Sequence, residues 1–196
     1  MTHVLALCGS RRDESATRAA LGVALAAAEA AGASTELFDL RTVDLPPLDA
    51  DRDAADQGDG AQLLAAVDAA DAVVLGTPVY HGSYSGVLKN ALDYCGFDEF
   101  EGKTVGLLGV AGGSFPVTAL DHLRSVCRAL NCWVLPHQAA IPRASQHVSY
   151  SGGEGRITSD DLDERVRVLG RRVVQYATIE PEPATFEAGE NLGADD

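Results

Sequence analysis

Apolar runs of strand length alternate with helical patterns through residues 4–135. Residues 4–8 form the first run, and residues 15–31, which follow it, consist mostly of Ala and Leu, two strong helix formers. Later patterns predict strands at residues 34–40, 71–76, 103–109 and 132–135 and helices at residues 61–69, 86–95 and 116–130. This alternation is typical of a parallel sheet that carries helices on both faces.

The same pattern predicts where a ligand binds. Five strands joined by helices suit an α/β fold with a doubly wound, five-stranded parallel sheet of order 2-1-3-4-5 and helices on both faces. In such sheets the ligand lies beyond the carboxyl ends of the strands, at the switch point between strands one and three. The loops after strands one, three and four are therefore expected to carry the functional chemistry.

Three segments lack a regular period. Residues 41–59 contain Pro46, Pro47 and many Asp, which predicts a long irregular connection, and residues 137–157 are polar and Gly-rich, which predicts a loop. A last amphipathic helix is expected at residues 158–177. Residues 180–196 are acidic and Pro-bearing, so we expect one folded domain over residues 1–179 followed by a disordered tail.

The first loop has the composition of an anion site. Residues 9–18 hold one Gly, two Ser, one Thr and three Arg at the start of a helix, where unpaired backbone N–H groups and the positive end of the dipole lie. Ser10, Arg12, Ser15 and Thr17 are the candidate phosphate ligands. The alternative is that Ser15 or Asp13 only caps the helix and that the arginines are solvated.

The other two loops could form the walls of a planar ligand. Residues 77–86 combine Gly and hydroxyl side chains with Tyr80 and His81, and the loop after strand four contains the adjacent Gly112 and Gly113, which allow a close approach of backbone to a ring. One phosphate pocket and two walls suit a mononucleotide with a large aromatic base. A conventionally bound dinucleotide fits poorly because Gly-x-Gly-x-x-Gly is absent, and the P-loop pattern is absent as well.

Taken together, these motifs resemble the NAD(P)H-dependent FMN reductases, a flavodoxin-like family that includes quinone, chromate and azo-dye reductases. The resemblance covers roughly residues 3–136. It is carried by Gly9-Ser10-x-Arg12-x-x-Ser15-x-Thr17, by Pro78-x-Tyr80-x-x-Ser83-x-x-Gly86-x-Leu88-Lys89-Asn90-Ala91-Leu92-Asp93 and by Gly112-Gly113.

The resemblance implies a tightly bound FMN. Ser10, Arg12, Ser15 and Thr17 would hold its phosphate, and Gly112 and Gly113 would close one edge of the isoalloxazine. The ring would otherwise lie along backbone groups of Pro78, Val79, Tyr80, His81, Gly82 and Ser83. The helix at residues 86–95 is often at a dimer interface in such proteins, so a homodimer or homotetramer is expected.

The chain departs from the family pattern at three positions. The family usually has Asn where Thr17 stands, and often has Glu at Val79 and Asn at His81. Thr17 keeps a hydroxyl, so phosphate binding survives that change. Because Val79 stands where the family often has Glu, a charge near the ring is missing, and this alters which nicotinamide or acceptor docks.

The implied activity is transfer of hydride from NADPH or NADH to FMN and then to a small acceptor: a quinone, a flavin, an azo compound or a metal oxyanion. The cofactor carries this chemistry, so no catalytic side chain is predicted.

His81 could act as an acid or base, and the alternatives are that it only contacts the ring or is simply exposed. The alternative function is a flavodoxin-type electron carrier. A phosphoacceptor domain is disfavoured because Leu7, Cys8 and Gly9 stand where it needs acids.

Composition narrows the possible partners. Fifteen Lys and Arg against twenty-nine Asp and Glu give a formal net charge of −14, which argues against nucleic acid and anionic membranes. No stretch has transmembrane length and no secretory signal is evident, so we expect a cytoplasmic protein. The four cysteines form no CxxC pair, which predicts reduced thiols, and the histidines lack metal-ligand spacing, so no metal is expected.

Overall fold

The computed structural model describes residues 1–179. The strands are β1 (His3–Cys8), β2 (Ser34–Asp39), β3 (Ala72–Pro78), β4 (Thr104–Val110), β5 (Trp133–Val134), β6 (Ala139–Ile141), β7 (Val148–Ser151) and β8 (Glu154–Ile157). The helices are α1 (Ala16–Ala30), α2 (Gly60–Asp68), α3 (Gly86–Tyr94), α4 (Phe97–Phe100), α5 (Val117–Ala129), α6 (Ala144–His147) and α7 (Asp160–Gln175). The tail predicted at residues 180–196 lies outside the described residues and stays a prediction.

The main sheet is parallel and has the order β2-β1-β3-β4-β5, which confirms the predicted doubly wound topology. In the register of the sheet, Cys8 at the end of β1 lies opposite Asp39 of β2 and Gly76 of β3. The carboxyl ends of these strands therefore meet at one edge, where the chain leaves for the loops that were expected to hold a ligand.

Alternation along each strand divides the core between the two faces of the sheet. Val4, Ala6 and Cys8 of β1 pack in a cluster with α1 and α7. Leu5 and Leu7 pack on the opposite face with α2, α3 and α5. Helices on both faces explain why the central strands read as continuous apolar runs rather than as alternating ones.

The prediction of a structureless loop at residues 137–157 is wrong. The fifth position of the sheet is shared by β5, which pairs with the start of β4, and by β6, which pairs with its end. Between them lies Pro136, which has no backbone N–H to give to the ladder. α6 and the antiparallel hairpin β7–β8 follow. Elements of three or four residues are too short to show a period in sequence.

The irregular connection at residues 41–59 is confirmed, apart from one 3-10 turn at Ala54–Asp56. It is held against α3 by Asn90, whose side-chain amide donates to the carbonyl of Pro46 (2.9 Å) and accepts from the Leu48 amide (3.1 Å). The Tyr94 hydroxyl donates to the same Pro46 carbonyl at 2.8 Å. Within residues 1–179 no helix is long and apolar enough to cross a membrane.

Candidate functional site

A cavity of about 480 Å³ opens at the carboxyl edge of the sheet, between the loops that follow β1, β3 and β4. Small-molecule sites usually have volumes of about 300–1,000 Å³. The cavity is lined by Ser10, Arg12, Glu14, Ala16, Thr17, Pro78, Val79, Tyr80, Val110, Gly112, Ala144, Ser145, Val148 and Tyr150. Seven of these are predicted site residues. The other predicted site residues, which do not line the cavity, are Ser15, His81, Gly82, Ser83 and Gly113.

One end of the cavity is the N-terminus of α1. Ser15 is the N-cap and accepts a hydrogen bond from the Arg18 amide at 3.1 Å, so the capping role considered from sequence is present. Ala16 and Thr17 of the first turn line the cavity, and amides in this turn have no intrahelical acceptor. Ser10 and Thr17 are each only 2% exposed, yet both line the cavity. Buried hydroxyls and a helix N-terminus together favour an anion.

The three arginines of the first loop have different roles. Arg12 lines the cavity. Arg18 instead donates from Nε to Asp39 at the end of β2 (2.8 Å) and from its other nitrogens to the carbonyls of Asp13 and Arg12 (2.8 Å each). Arg11 lines a separate groove on the α3 side of the loop. Arg18 therefore fixes the loop, and Arg12 is the arginine available to a ligand in the cavity.

Two hydroxyls that sequence reasoning missed hold the first and second loops together. Ser85, the N-cap of α3, donates from Oγ to the Gly9 carbonyl at 2.7 Å. The Ser85 amide in turn donates to Thr77 Oγ1 at 2.9 Å. A Cβ at Gly9 would lie 2.8 Å from Ser85 Oγ, so only glycine allows this approach. The capping role of Ser85 could have been predicted from its position directly before a predicted helix, where Ser is a common N-cap.

The second loop contains a tight turn. The amides and carbonyls of Tyr80 and Ser83 exchange hydrogen bonds of 2.9 and 3.0 Å. His81 and Gly82 between them both have positive φ, 51° and 77°. Positive φ at both central positions is the signature of a type I′ turn, which favours Asn-Gly. The geometry thus gives a physical reason for the Asn that the resemblance leads one to expect at His81.

This turn separates the predicted ring contacts into two groups. Pro78, Val79 and Tyr80 line the cavity. His81 and Gly82 form the exposed tip of the turn, and the Ser83 hydroxyl is 3.1 Å from Nδ1 of His122 on α5.

The third loop is held by the segment that sequence reasoning treated as irregular. The Ala111 amide donates to the Ile141 carbonyl of β6 (2.9 Å), and the Gly113 carbonyl accepts from the Arg143 amide (2.8 Å). A Cβ at Gly112 or at Gly113 would meet nothing within 4 Å. Packing within the described chain therefore does not require glycine at either position, and the space beside them is available to a ligand.

The comparison with family models decides the family. Residues 2–146 match the model described as NADPH-dependent FMN reductase. The chain belongs to this FMN reductase family. Membership confirms the predicted cofactors, FMN and NAD(P)H, and the predicted class, an oxidoreductase.

Curated relatives of this chain include an enzyme named FMN-dependent NADPH-azoreductase. The one from Staphylococcus aureus (strain USA300) is 39% identical over 113 residues, which is 58% of this chain and 60% of the relative. The match thus spans less than two thirds of the relative's length, and reduction of azo compounds is a property of that protein.

Solved structures confirm the flavodoxin-like fold of this chain. The flavoenzyme NAD(P)H:(acceptor) oxidoreductase from Paracoccus denitrificans superposes with a TM-score of 0.73 at 22% identity, covering 90% of this chain and 97% of that one. A flavodoxin from the domain Archaea gives a TM-score of 0.61 at 13% identity, covering 90% of this chain and 99% of that one. At these identities the likeness concerns the fold alone.

The residues present fit an FMN. The end of the cavity at α1 offers two buried hydroxyls and Arg12 to a phosphate. The other end offers backbone of residues 78–80 and the open side of Gly112 to a flat ring. Within residues 1–179 no group of three or more His, Cys, Asp or Glu could hold a metal ion.

Three of the four cysteines have thiols with a raised pKa, which makes them poor nucleophiles at neutral pH. All four are free thiols, and Cys8, Cys95 and Cys127 are buried. Burial raises the pKa of Cys8, at the end of β1, and raises the pKa of Cys95 to about 12. A hydrogen bond with Cys127, together with burial, raises the pKa of Cys132. These three thiols are therefore protonated at neutral pH.

Proposed function

We propose that this protein is an FMN-dependent NAD(P)H oxidoreductase that reduces a small acceptor: a quinone, a flavin, an azo compound or a metal oxyanion. When bound, FMN supplies the hydride chemistry between the nicotinamide and the acceptor. The supporting observation is one cavity at the switch point of the sheet that joins a helix N-terminus, buried hydroxyls and a wall of glycine. Because the reaction consumes NAD(P)H, we place it in the cytoplasm.

At the α1 end, Ser10, Arg12 and Thr17 hold the phosphate in this proposal. All three line the cavity, and two of them are buried hydroxyls that a phosphate oxygen would satisfy. Ser15 contributes as the helix cap, because its Oγ accepts from the Arg18 amide and so fixes the first turn. Its role is to orient the helix amides toward the phosphate.

At the other end, residues 78–83 and Gly112-Gly113 hold the ring in this proposal. The amides of Val79, Tyr80 and Ser83 already donate within the protein, to Val110, Ser83 and Tyr80 respectively. In this proposal the ring takes its backbone donors from His81 and Gly82, at the tip of the turn outside the cavity lining, because the other amides of the turn are occupied. Such backbone donors can stabilise negative charge on the reduced ring.

No side chain is proposed as a proton donor or nucleophile. His81 is at the exposed tip of its turn, and Ser83 is engaged with His122. The described residues thus bind and orient, and they leave the open mouth of the cavity to the nicotinamide and the acceptor in turn.

We further propose a homodimer or homotetramer that forms through the 86–95 helix. A groove of about 400 Å³, lined by both polar and apolar groups, lies between this helix and the 41–59 connection. It is lined by Arg11, Leu40, Val43, Leu45, Pro47, Gly86, Val87 and Asn90. Light scattering on the wild type and on Val87→Asp tests this: the variant should dissociate, and a monomeric wild type would contradict it.

The experiment for the activity is anaerobic stopped-flow mixing of the FMN-loaded protein with NADPH. A reductase bleaches the visible flavin band promptly and recovers it when a quinone or azo dye is added. A flavodoxin-type carrier shows no reduction by NADPH and is reduced only by a partner or by dithionite. Failure of the purified protein to retain FMN at all would contradict both functions.

A further inference from the structure

The cavity has a fourth wall that none of the three predicted loops provides. Four of its lining residues, Ala144, Ser145, Val148 and Tyr150, belong to α6 and β7. The family match ends at residue 146, so Val148 and Tyr150 lie beyond it. The part of this wall formed by β7 therefore lies outside the segment that the family match covers.

The hairpin β7–β8 that carries Tyr150 is fixed to the start of α1. Val148 and Ile157 are partners across the hairpin, and both are buried in the core cluster that contains α1 and α7. On β8, a Cβ at Gly155 would lie 2.7 Å from the Ala19 Cβ and 2.9 Å from Cε1 of Tyr150. Gly155 thus lets the hairpin lie directly on α1 and holds the Tyr150 ring beside the first turns of that helix.

This placement puts Tyr150 at the end of the cavity that we assign to the phosphate. Its hydroxyl is within electrostatic reach of Glu14, Arg12 and Arg18, all of the first loop and first turn of α1. Burial, with a smaller contribution from Glu14, raises the pKa of the Tyr150 phenol. The phenol therefore keeps its proton at neutral pH, and a neutral phenol is a hydrogen-bond donor.

We propose that Tyr150 is a cofactor-binding residue whose hydroxyl donates a hydrogen bond to the FMN phosphate and closes that end of the cavity. The proposal rests on the proposed function, since it requires FMN in the cavity with its phosphate at α1. It adds a side-chain ligand from the carboxyl-terminal part of the fold to a phosphate site otherwise built from residues 10–17.

The experiment compares FMN with riboflavin, which has the same ring and ribityl chain but no phosphate. Quenching of flavin fluorescence gives the dissociation constants for the wild type, for Tyr150→Phe and for Tyr176→Phe. Tyr176 is a matched control because it follows α7 at the opposite edge of the sheet, where its carbonyl accepts from Thr104. Circular dichroism and thermal melting of each variant report folding without any flavin.

We expect Tyr150→Phe to weaken FMN binding about tenfold, as for the loss of one hydrogen bond to a charged group, and to leave riboflavin binding unchanged. Tyr176→Phe should change neither constant. Equal losses for both flavins in Tyr150→Phe, or no loss for FMN, would overturn the proposed phosphate contact while the wild type still binds FMN. A wild type that does not prefer FMN to riboflavin would instead contradict the phosphate site of the proposed function itself.

Discussion

The two ends of the cavity are built in opposite ways. At the α1 end, polar groups are buried or held in place: Ser15 caps the helix, and Arg18 pairs with Asp39 and binds two loop carbonyls. At the end proposed for the ring, Tyr80 is 51% exposed and lies in a tight turn at the surface. A preorganised end suits permanent attachment of a cofactor, and an open end suits substrates that enter in turn.

This difference predicts a separation of effects. Substitutions at the α1 end should change the affinity for FMN, whereas substitutions at the ring end should change turnover with little effect on affinity. A substitution that did the reverse would show that the ligand lies in the cavity the other way round.

Arg12→Ala should have the largest effect on FMN affinity. In the proposed site it removes a charge-assisted hydrogen bond to phosphate, and it should weaken FMN binding by about 1.5–3 kcal/mol, or roughly 10- to 150-fold. Arg11→Ala is the matched control, because Arg11 is the neighbouring residue but does not line the cavity. Isothermal titration with FMN measures both variants. Equal losses from the two would mean that net charge of the loop, rather than a defined contact of Arg12, binds the phosphate.

Arg18→Ala should have the next largest effect, and it should act on the loop itself. The substitution removes a half-buried ion pair with Asp39 and two hydrogen bonds to carbonyls of the first loop. We expect the protein without flavin to lose about 1–2 kcal/mol of unfolding free energy. Denaturant unfolding of the apoprotein measures this.

Arg18→Lys separates charge from geometry at the same position. Lys keeps the charge near Asp39 but cannot reproduce the planar guanidinium that reaches three acceptors at once. It should therefore recover only part of the lost stability. Complete recovery would show that attraction to the Asp39 carboxylate, rather than the two loop contacts, is the function of Arg18.

The roles of these arginines show which features could be predicted from the sequence and which could not. The strand order and the three ligand-facing loops followed from runs of apolar residues, because burial on both faces leaves a strong local signal. The different roles of Arg12 and Arg18 left no such signal, because they depend on Asp39, which lies on β2, 21 residues from Arg18 in sequence. The residue types in the loop predicted an anion site, but they did not indicate which arginine faces the cavity.

The fourth wall was missed for a different reason. β6 has three residues and the strands of the hairpin have four each, so none covers enough positions for periodicity to be seen. Gly152 and Gly153 indicated a loop, and they do form the turn of the hairpin, both with positive φ. The buried partners Val148 and Ile157 are nine positions apart, and only the hairpin brings them together.

Tyr80→Ala tests the open end of the cavity. Tyr80 lines the cavity and is half exposed at its mouth, so its loss should lower kcat/KM for an aromatic quinone by about two- to tenfold, as for the loss of one aromatic contact. FMN affinity should stay within about twofold. Steady-state kinetics with saturating NADPH, together with an FMN titration, measures the two quantities. A loss of FMN affinity that matches Arg12→Ala would remove the distinction between the two ends.

The smallest effect is expected at the tip of the turn. His81 has φ of 51°, a conformation that costs most residues energy and that Asn tolerates better. His81→Asn should therefore stabilise the protein by about 0.5 kcal/mol, or about 1–2 °C in Tm. FMN affinity should not change, because the turn keeps its shape and its amides. If the variant instead lost turnover with a quinone while Tm rose, the imidazole itself would act in the reaction, and the ring end would contribute more than backbone.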